Sequence, residues 1–107
     1  MSDCIFCKIA NKEVPSTIVY EDDEIIAFND IAPSAKVHIL IVPKKHISTI
    51  KDLNETEQDE ILVGKMILVA RNIAKEKELK GYKLTFNVDK EGGQVIFHIH
   101  LHLMSNG

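Results

Sequence analysis

The stretch HIHLHLM, at residues 98–104, constrains the fold of this chain more than any other feature. Histidine alternates with an aliphatic residue, so that His98, His100 and His102 recur with a period of two. Side chains on a β-strand point to alternate faces, so the pattern predicts a strand with imidazoles on one face and aliphatic groups on the other. A single histidine on a strand is usually a satisfied surface or core residue. Three in register on a face suited to burial indicate a functional site.

The remaining sequence predicts an α+β fold in which helices cover a five-stranded antiparallel sheet. A short N-terminal helix is expected to begin at an Asp3 cap and to end by Pro15, and a long helix to follow an Asn54 cap. The predicted strands cover residues 16–23, 24–30, 37–43, 82–89 and 95–104, and the long helix covers residues 55–79. A chain of 107 residues has the length of one domain, which we expect to span residues 1–107.

Composition excludes several classes of protein. The net charge of -3 argues against a protein that coats nucleic-acid polymers, since such proteins usually carry a basic excess. No stretch approaches the roughly 18 apolar residues that span a bilayer. The first residues are charged and lack the apolar core of a secretion signal, so we expect a cytoplasmic protein without a membrane partner.

The chain has two cysteines, Cys4 and Cys7, in a C-x-x-C arrangement near its start. In a reducing compartment this spacing favours a metal site or redox chemistry over a structural disulfide, although two ordinary thiols also remain possible. The redox alternative normally follows a strand, and only three residues precede Cys4. Two cysteines and two of the five histidines would complete a tetrahedral zinc site and leave three histidines for chemistry.

The histidines cannot all serve one metal ion. On an extended strand the Cα atoms of His98 and His102 lie about 13 Å apart, whereas zinc ligand atoms lie about 2 Å from the ion. His38 and His46 flank the apolar run VHILIVP and are expected on the order of 25 Å apart if that segment is extended. We therefore expect the histidines to divide between two environments.

The residues before the triad could bind a phosphate. A neutral imidazole is a good nucleophile with a pKa near neutrality, and attack on phosphorus also needs donors for the nonbridging oxygens. The segment NVDKEGGQ supplies the amide of Asn87, and at Gly92 and Gly93 backbone N–H groups can approach a phosphate closely. The glycine pair is equally typical of a plain hairpin turn.

Five blocks of sequence resemble the histidine triad (HIT) superfamily: HIHLHLM, the preceding GGQ, CIFCKI, AFNDI and HILIVPKKHIS. They cover almost the whole chain in the expected order and are most similar to the Hint branch, of the bacterial type with C-x-x-C. The resemblance implies hydrolysis of purine nucleoside 5'-phosphoramidates. His100 would attack the α-phosphorus and form a nucleotidyl-histidine intermediate, His102 would contact the phosphate, and His38 would support the imidazole cluster.

The resemblance also implies the binding residues and partners. The phosphate would be held by Asn87, Gly93, Gln94 and Val95, the ribose by Asp30 beside Asn29, and the purine by Ile5, Phe6, Ile9, Phe28, Ile31 and Leu40. A structural Zn²⁺ would be bound by Cys4, Cys7, His46 and His98. Members of the superfamily usually form homodimers with a continuous ten-stranded sheet, which we expect here also.

One departure from the superfamily pattern favours a function without catalysis, and two enzymatic alternatives stand beside it. Relatives commonly have Ser or Thr after GGQ, where the hydroxyl can assist the leaving group, and this chain has Val95. The enzymatic alternative is hydrolysis or nucleotidyl transfer on dinucleoside polyphosphates, the activity of the Fhit branch. An alternative of another class is a nucleotide-binding regulatory protein with weak or no catalysis. A metal hydrolase that uses the triad as ligands is a third.

Overall fold

A computed structural model describes residues 3–107, and its strands form one antiparallel sheet in the order β1-β2-β3-β5-β4. The elements are α1 (Ile5–Ala10), β1 (Ile18–Glu21), β2 (Ile25–Asn29), β3 (Val37–Pro43), α2 (Glu57–Glu76), β4 (Lys83–Thr85) and β5 (Leu101–Ser105), with short 3₁₀ turns at Ile50–Asp52 and Lys90–Gly92. The predicted α+β fold with five antiparallel strands and two helices is confirmed. No helix in this described part combines the length and apolar character that crossing a bilayer requires.

The two faces of the sheet bury different sets of side chains. The larger core lies between the sheet and α2, where Met66 and Ile73 pack with Ile39, Ile41 and Leu103. The smaller core lies on the opposite face, under α1, and consists of Phe6, Ile9, Ile26, Phe28, Leu40 and Val42. Because side chains alternate along a strand, β3 and β5 contribute to both cores. Leu40 pairs with His102 across the β3–β5 ladder, on the face that α1 covers.

Asp22 organises the acidic hairpin between β1 and β2. Its Oδ1 accepts hydrogen bonds from the backbone N–H groups of Glu24 and Ile25, both at 2.8 Å. Its Oδ2 accepts from the Tyr20 hydroxyl at 2.6 Å and lies 3.1 Å from Nζ of Lys65 on α2. Burial opposes the charge, yet these donors hold the pKa of Asp22 well below its usual range. The acidic turn is therefore an ordered link between the hairpin and α2.

Both helices begin one or two residues later than predicted. The cap of α1 is Cys4, not Asp3, because the Cys4 sulfur accepts the backbone N–H of Cys7. The cap of α2 is Thr56, not Asn54, because the Thr56 hydroxyl accepts the backbone N–H of Asp59. The long helix also ends before the predicted residue 79, at Glu76, since Glu78 adopts a positive φ of 57°.

The last two strands are shorter than predicted, and this correction matters for the site. The predicted strand at 95–104 is β5 only from Leu101, so His98 and His100 precede it. The β3–β5 ladder stops where Ile41 pairs with Leu101, near Pro43, which has no N–H to donate. The backbone N–H of Ile99 donates instead to the carbonyl of Ile47 at 2.7 Å. The predicted strand at 82–89 is β4 only at Lys83–Thr85, because its pairing with β5 ends there.

Candidate functional site

A cavity of about 460 Å³ opens on the α1 face of the sheet. It brings together residues from α1, from the end of β2, from β3, from the loop before the triad and from the triad itself. The predicted site residues among its lining are Ile5, Phe6, Ile9, Phe28, Asn29, Asp30, Ile31, Leu40, Asn87, Gly93, Val95, His100 and His102. Residues on distant parts of the sequence therefore surround one space.

Sequence reasoning missed part of the lining. Val14, Pro15, Ser16, Ala32 and Ile96 also face the cavity. The sequence predicts for Pro15 only the end of the first helix, although the segment that follows such a helix must pass beside the space under it. Ile96 was assigned to a strand, and the bend at residues 96–98 could not be seen in the alternating pattern.

Aromatic and apolar groups form the inner wall of the cavity. The rings of Phe6 and Phe28 meet edge to face with centroids 5.5 Å apart, and Phe6 meets His100 similarly at 5.0 Å. Phe6 is buried because helical spacing places it and Ile9 on the side of α1 that faces the sheet. Ile31 and Val95, by contrast, are 100% and 86% exposed at the rim. Such an apolar slot suits a flat ring.

A chain of hydrogen bonds fixes the proton positions on His38 and His102. The backbone N–H of Ser34 donates to Nδ1 of His38 at 3.0 Å, so that nitrogen must carry a lone pair. In the neutral ring the proton then lies on Nε2, which donates to Nδ1 of His102 at 2.9 Å. His102 consequently carries its own proton on Nε2. That atom is buried and has no hydrogen-bond partner within residues 3–107.

His100 has the opposite arrangement. Its Nδ1–H donates to the backbone carbonyl of His98 at 2.8 Å, which leaves the lone pair on Nε2. The rings of His100 and His102 lie side by side, with centroids 4.8 Å apart. Burial lowers the pKa of His100, and burial together with the neighbouring imidazoles lowers the pKa of His102 to about 4. Both rings are therefore neutral near pH 7, one presenting a lone pair and the other a proton.

Asp30 lines the cavity beside the imidazole cluster. Its Oδ1 accepts the backbone N–H of Ala32 at 2.9 Å, and its Oδ2 lies 3.4 Å from Nε2 of His38. Ligand atoms of Asp30, His38 and His102 are close enough together to consider a metal ion. However, Nε2 of His38 carries a proton in the tautomer that Ser34 selects, so it has no lone pair to offer. This argues against the metal hydrolase alternative.

The loop before the triad differs in detail from the prediction. Gly93 adopts a left-handed φ of 88°, and a Cβ there would lie 3.9 Å from the Asn87 amide nitrogen, so the two residues are neighbours. The backbone N–H of Gly93 donates to the carbonyl of Lys90 and that of Gln94 to the carbonyl of Asp89, so both already have partners within the loop. The Gln94 side chain is buried, does not line the cavity, and bonds the protein instead.

A second cluster forms at the other end of the histidine segment. Ligand atoms of Cys4, Cys7, His46 and His98 all lie within 4.8 Å of one another, so these residues are close enough to hold a metal ion. Nδ1 of His98 lies 3.4 Å from the Cys4 sulfur and 3.1 Å from Nδ1 of His46. The bend before β5 makes this possible, because it separates His98 from His100 and His102.

The chemistry of the cluster fits a metal. Nε2–H of His98 donates to the carbonyl of Pro43 at 2.7 Å, which leaves the lone pair on Nδ1, facing the two sulfurs. Such an outer hydrogen bond is the usual way in which a protein orients a metal-binding imidazole. Burial lowers the pKa of His98 to about 4, and burial with the nearby Cys4 thiol raises the pKa of Cys7. The histidine is thus neutral, and the thiols would release protons to a metal.

Comparison with known proteins identifies the family. A family model described as "Scavenger mRNA decapping enzyme C-term binding" matches residues 3–107. The chain is 45% identical over 105 residues to Protein HitA of Neisseria gonorrhoeae, a match covering 97% of this chain and 96% of that protein. It is 44% identical over 104 residues to the purine nucleoside phosphoramidase of Escherichia coli K12, covering 95% and 86% respectively.

A solved structure agrees with these matches. The HIT family hydrolase from Legionella pneumophila Philadelphia 1 superposes with a TM-score of 0.93 at 48% sequence identity, covering 98% of this chain and 94% of that one. Sequence and fold therefore give the same answer over nearly the whole chain. The chain belongs to the family that the matching model describes, and it is a histidine triad protein.

Proposed function

We propose that this protein hydrolyses purine nucleoside 5'-phosphoramidates to a nucleoside monophosphate and an amine, with His100 as the nucleophile. One observation carries the proposal: two neutral imidazoles with opposite roles, a lone pair on Nε2 of His100 and a proton on Nε2 of His102, line the same apolar cavity. The name of the Escherichia coli relative, purine nucleoside phosphoramidase, gives the same substrate class.

The first step forms a bond between Nε2 of His100 and the α-phosphorus and breaks the bond from phosphorus to the leaving nitrogen. The positive charge that develops on the imidazole is stabilised through Nδ1–H, which donates to the His98 carbonyl. The departing amine takes its proton from water, because Val95 offers no hydroxyl, and the hydroxide so formed takes up the proton that the second step releases. Water then cleaves the phosphorus–nitrogen bond to His100, which releases the monophosphate and restores the neutral ring.

The α-phosphate is held by donors that the protein leaves unused. The buried Nε2–H of His102 lacks a partner within the described residues, and burying an unpaired donor costs free energy unless a ligand satisfies it. The Asn87 side chain, beside Gly93, provides further donors at the same wall. The nonbridging oxygens, whose negative charge grows during attack, would accept these hydrogen bonds. His38 acts through His102 by holding its tautomer.

The nucleoside fits the rest of the cavity. The purine would pack between the side chains on the α1 wall, with Phe6, Ile9 and Leu40 as the buried surfaces. Asp30 would accept the ribose hydroxyls, since its carboxylate retains acceptor capacity beyond the hydrogen bond from Ala32. The absence of a basic field is consistent with a small nucleotide, because the net charge is -3.

We also propose that the cysteine–histidine cluster binds Zn²⁺ in a structural role. Cys4, Cys7, His46 and His98 would hold the ion and leave no open position for water, so it would cross-link α1 to the histidine segment. Thiolate ligands require a reducing compartment, which favours the cytoplasm. These assignments leave the chemical step to His100 and His102.

We propose finally that two copies associate through α2 and β4. β4 is an edge strand of the sheet, with unpaired backbone groups available on one side. On α2, Ile61 and Leu68 are 59% and 49% exposed, and their separation of seven residues places them on one helix face. A second copy paired along β4 would cover these apolar groups and extend the sheet to ten strands.

The proton positions can be tested directly. In long-range ¹H–¹⁵N spectra, His102 is expected as the neutral Nε2–H tautomer and His100 as the neutral Nδ1–H tautomer at pH 7. His102 should stay neutral at pH 5.5, because its pKa is about 4. Since this pKa lies below the unfolded value of 6.5, protons bind the unfolded chain first, and acidification between these values should lower the free energy of unfolding. An Nδ1–H tautomer on His102 would contradict the mechanism.

The covalent intermediate is the decisive test of function. Brief mixing with an AMP phosphoramidate, followed by acid-free quenching and intact mass spectrometry, is expected to show one AMP on the wild-type chain. His100→Gln should show no adduct, and its turnover should fall by about a thousandfold or more, because removing a nucleophile removes the chemical step.

The control is Gln58→Met, which changes an exposed residue of α2 outside the cavity and outside the cysteine–histidine cluster, and it should keep the adduct. An adduct that persists in His100→Gln would overturn the assignment of the nucleophile. AMP that binds without adduct or turnover in the wild-type chain would instead identify a nucleotide-binding protein.

The metal can be tested by its content and by stability. Elemental analysis after purification in reducing buffer is expected to give one zinc per chain, and His46→Gln should lose most of it. His38→Gln, which changes a histidine outside the cluster, should retain zinc. Chelation should lower the melting temperature of the wild-type chain, because a ligand of the folded state stabilises it. Equal zinc content in both variants would refute the site.

The dimer can be tested by light scattering, which is expected to give twice the mass of one chain. Leu68→Glu should yield monomers, because it places a charge in the covered face of α2. Ile18→Glu is the matched control, since Ile18 is a similarly exposed apolar residue on β1, at the opposite edge of the sheet. A monomeric wild-type chain at micromolar concentration, or dissociation by Ile18→Glu alone, would contradict the interface.

A further inference from the structure

We propose that Gln94 is a positioning residue whose side chain fixes the phosphate loop, residues 87–95, at the right distance from His100. The inference rests on the proposed function, because it concerns the same cavity. The sequence predicted that Gln94 contacts the substrate. In the folded chain Gln94 is only 5% exposed and does not line the cavity. Asn87, Gly93 and Val95 of the same loop do line the cavity.

The Gln94 amide is fully engaged by the protein. Its Oε1 accepts the backbone N–H of Asp89 at 2.8 Å. Its Nε2 donates to the carbonyl of Ser48 at 2.7 Å and to the carbonyl of Ile96 at 3.0 Å. Both amide hydrogens and the carbonyl oxygen are therefore used without a ligand. A side chain in this condition would have to break internal hydrogen bonds to touch a phosphate.

The phosphate loop needs such a restraint. Asp89 has φ 61° and ψ 177°, a conformation that residues other than glycine rarely adopt. A strained residue persists only where its surroundings hold it. Gln94 holds the backbone N–H of Asp89, and Lys51 holds its carboxylate through an ion pair of 2.5 Å between Nζ and Oδ2. The ion pair is exposed, so the buried amide is the stronger restraint.

The segment that accepts the Gln94 hydrogen bond is also hydrogen-bonded to the residue before His100. Ser48 accepts the hydrogen bond from Gln94, and the adjacent Ile47 accepts the backbone N–H of Ile99 at 2.7 Å. Ile99 directly precedes His100. One short segment, Ile47–Ser48, thus holds both the phosphate loop and the histidine segment. Gln94 therefore sets the spacing between the donors of the loop and the attacking nitrogen.

If Gln94 has this role, its replacement should lower the affinity only for ligands that carry a phosphate. The proposed purine and ribose contacts come from α1, β3 and Asp30, and the Gln94 side chain makes no hydrogen bond to any of them. A loosened phosphate loop would therefore weaken the binding of AMP and leave the binding of adenosine unchanged. A general structural defect would weaken both ligands together.

The experiment compares AMP and adenosine by calorimetry on the wild-type chain, Gln94→Met and Gln58→Met. Methionine keeps the length of glutamine and removes the hydrogen bonds, and Gln58 is an exposed glutamine on α2 that serves as the matched control. Gln94→Met is expected to bind AMP about tenfold more weakly with adenosine affinity unchanged. Its kcat for an AMP phosphoramidate should fall, while Gln58→Met should match the wild type.

Each other outcome is decisive. A wild-type chain that binds AMP no more tightly than adenosine would overturn the proposed phosphate site and this inference with it. Suppose instead that the wild-type chain binds AMP more tightly than adenosine. If Gln94→Met keeps that preference, or loses affinity for both ligands equally, this inference alone is overturned.

If Gln94→Met does not fold, a measurement on the wild-type chain still tests the proposal. The side-chain NH₂ of Gln94 is expected to exchange with solvent far more slowly than that of Gln58, before any ligand is added. Equal exchange of the two groups would show that the restraint is not formed, and would overturn the proposal.

Discussion

The hydrogen bond from the backbone N–H of Ser34 to Nδ1 of His38 is the interaction on which the imidazole cluster depends. An amide N–H can only donate, so it selects the tautomer of His38, and His38 in turn selects that of His102. At the other end of the cluster the carbonyls of Pro43 and His98 do the same for His98 and His100. Backbone groups therefore decide which ring nitrogen carries a proton and which presents a lone pair.

The place where the β3–β5 ladder ends determines that the three histidines take different positions. His102 lies within the ladder, opposite Leu40, and keeps the strand orientation that the alternating sequence implies. Beyond Ile41 the ladder stops, and the chain bends through residues 96–98. The bend directs His98 toward the cysteines and leaves His100 beside the cavity. A continuous strand would have kept all three rings in one row, too far apart for two compact clusters.

The sequence predicted what depends on local periodicity and failed where a distant backbone group decides. The presence of five strands and two helices, and their sequence along the chain, follow from local periodicity. The grouping of Cys4 and Cys7 with His46 and His98 followed from the resemblance. The shortened β5 depends on Pro43 and Ile47, and the role of Gln94 depends on Ser48, all remote along the chain. Hydrogen bonds of this kind leave no periodic trace, so neither the tautomers nor the restraint on the phosphate loop could be read in advance.

The short helix α1 joins the two clusters. It has six residues, too few to be stable as an isolated helix, so tertiary contacts must hold it. Cys4 and Cys7 bring it to His98, while Phe6 and Ile9 pack into the smaller core and line the cavity. Movement of the cysteines away from His98 would therefore move the apolar wall of the cavity as well. A metal bound at the cysteines would act on catalysis only in this way, by keeping the apolar slot at a fixed distance from His100.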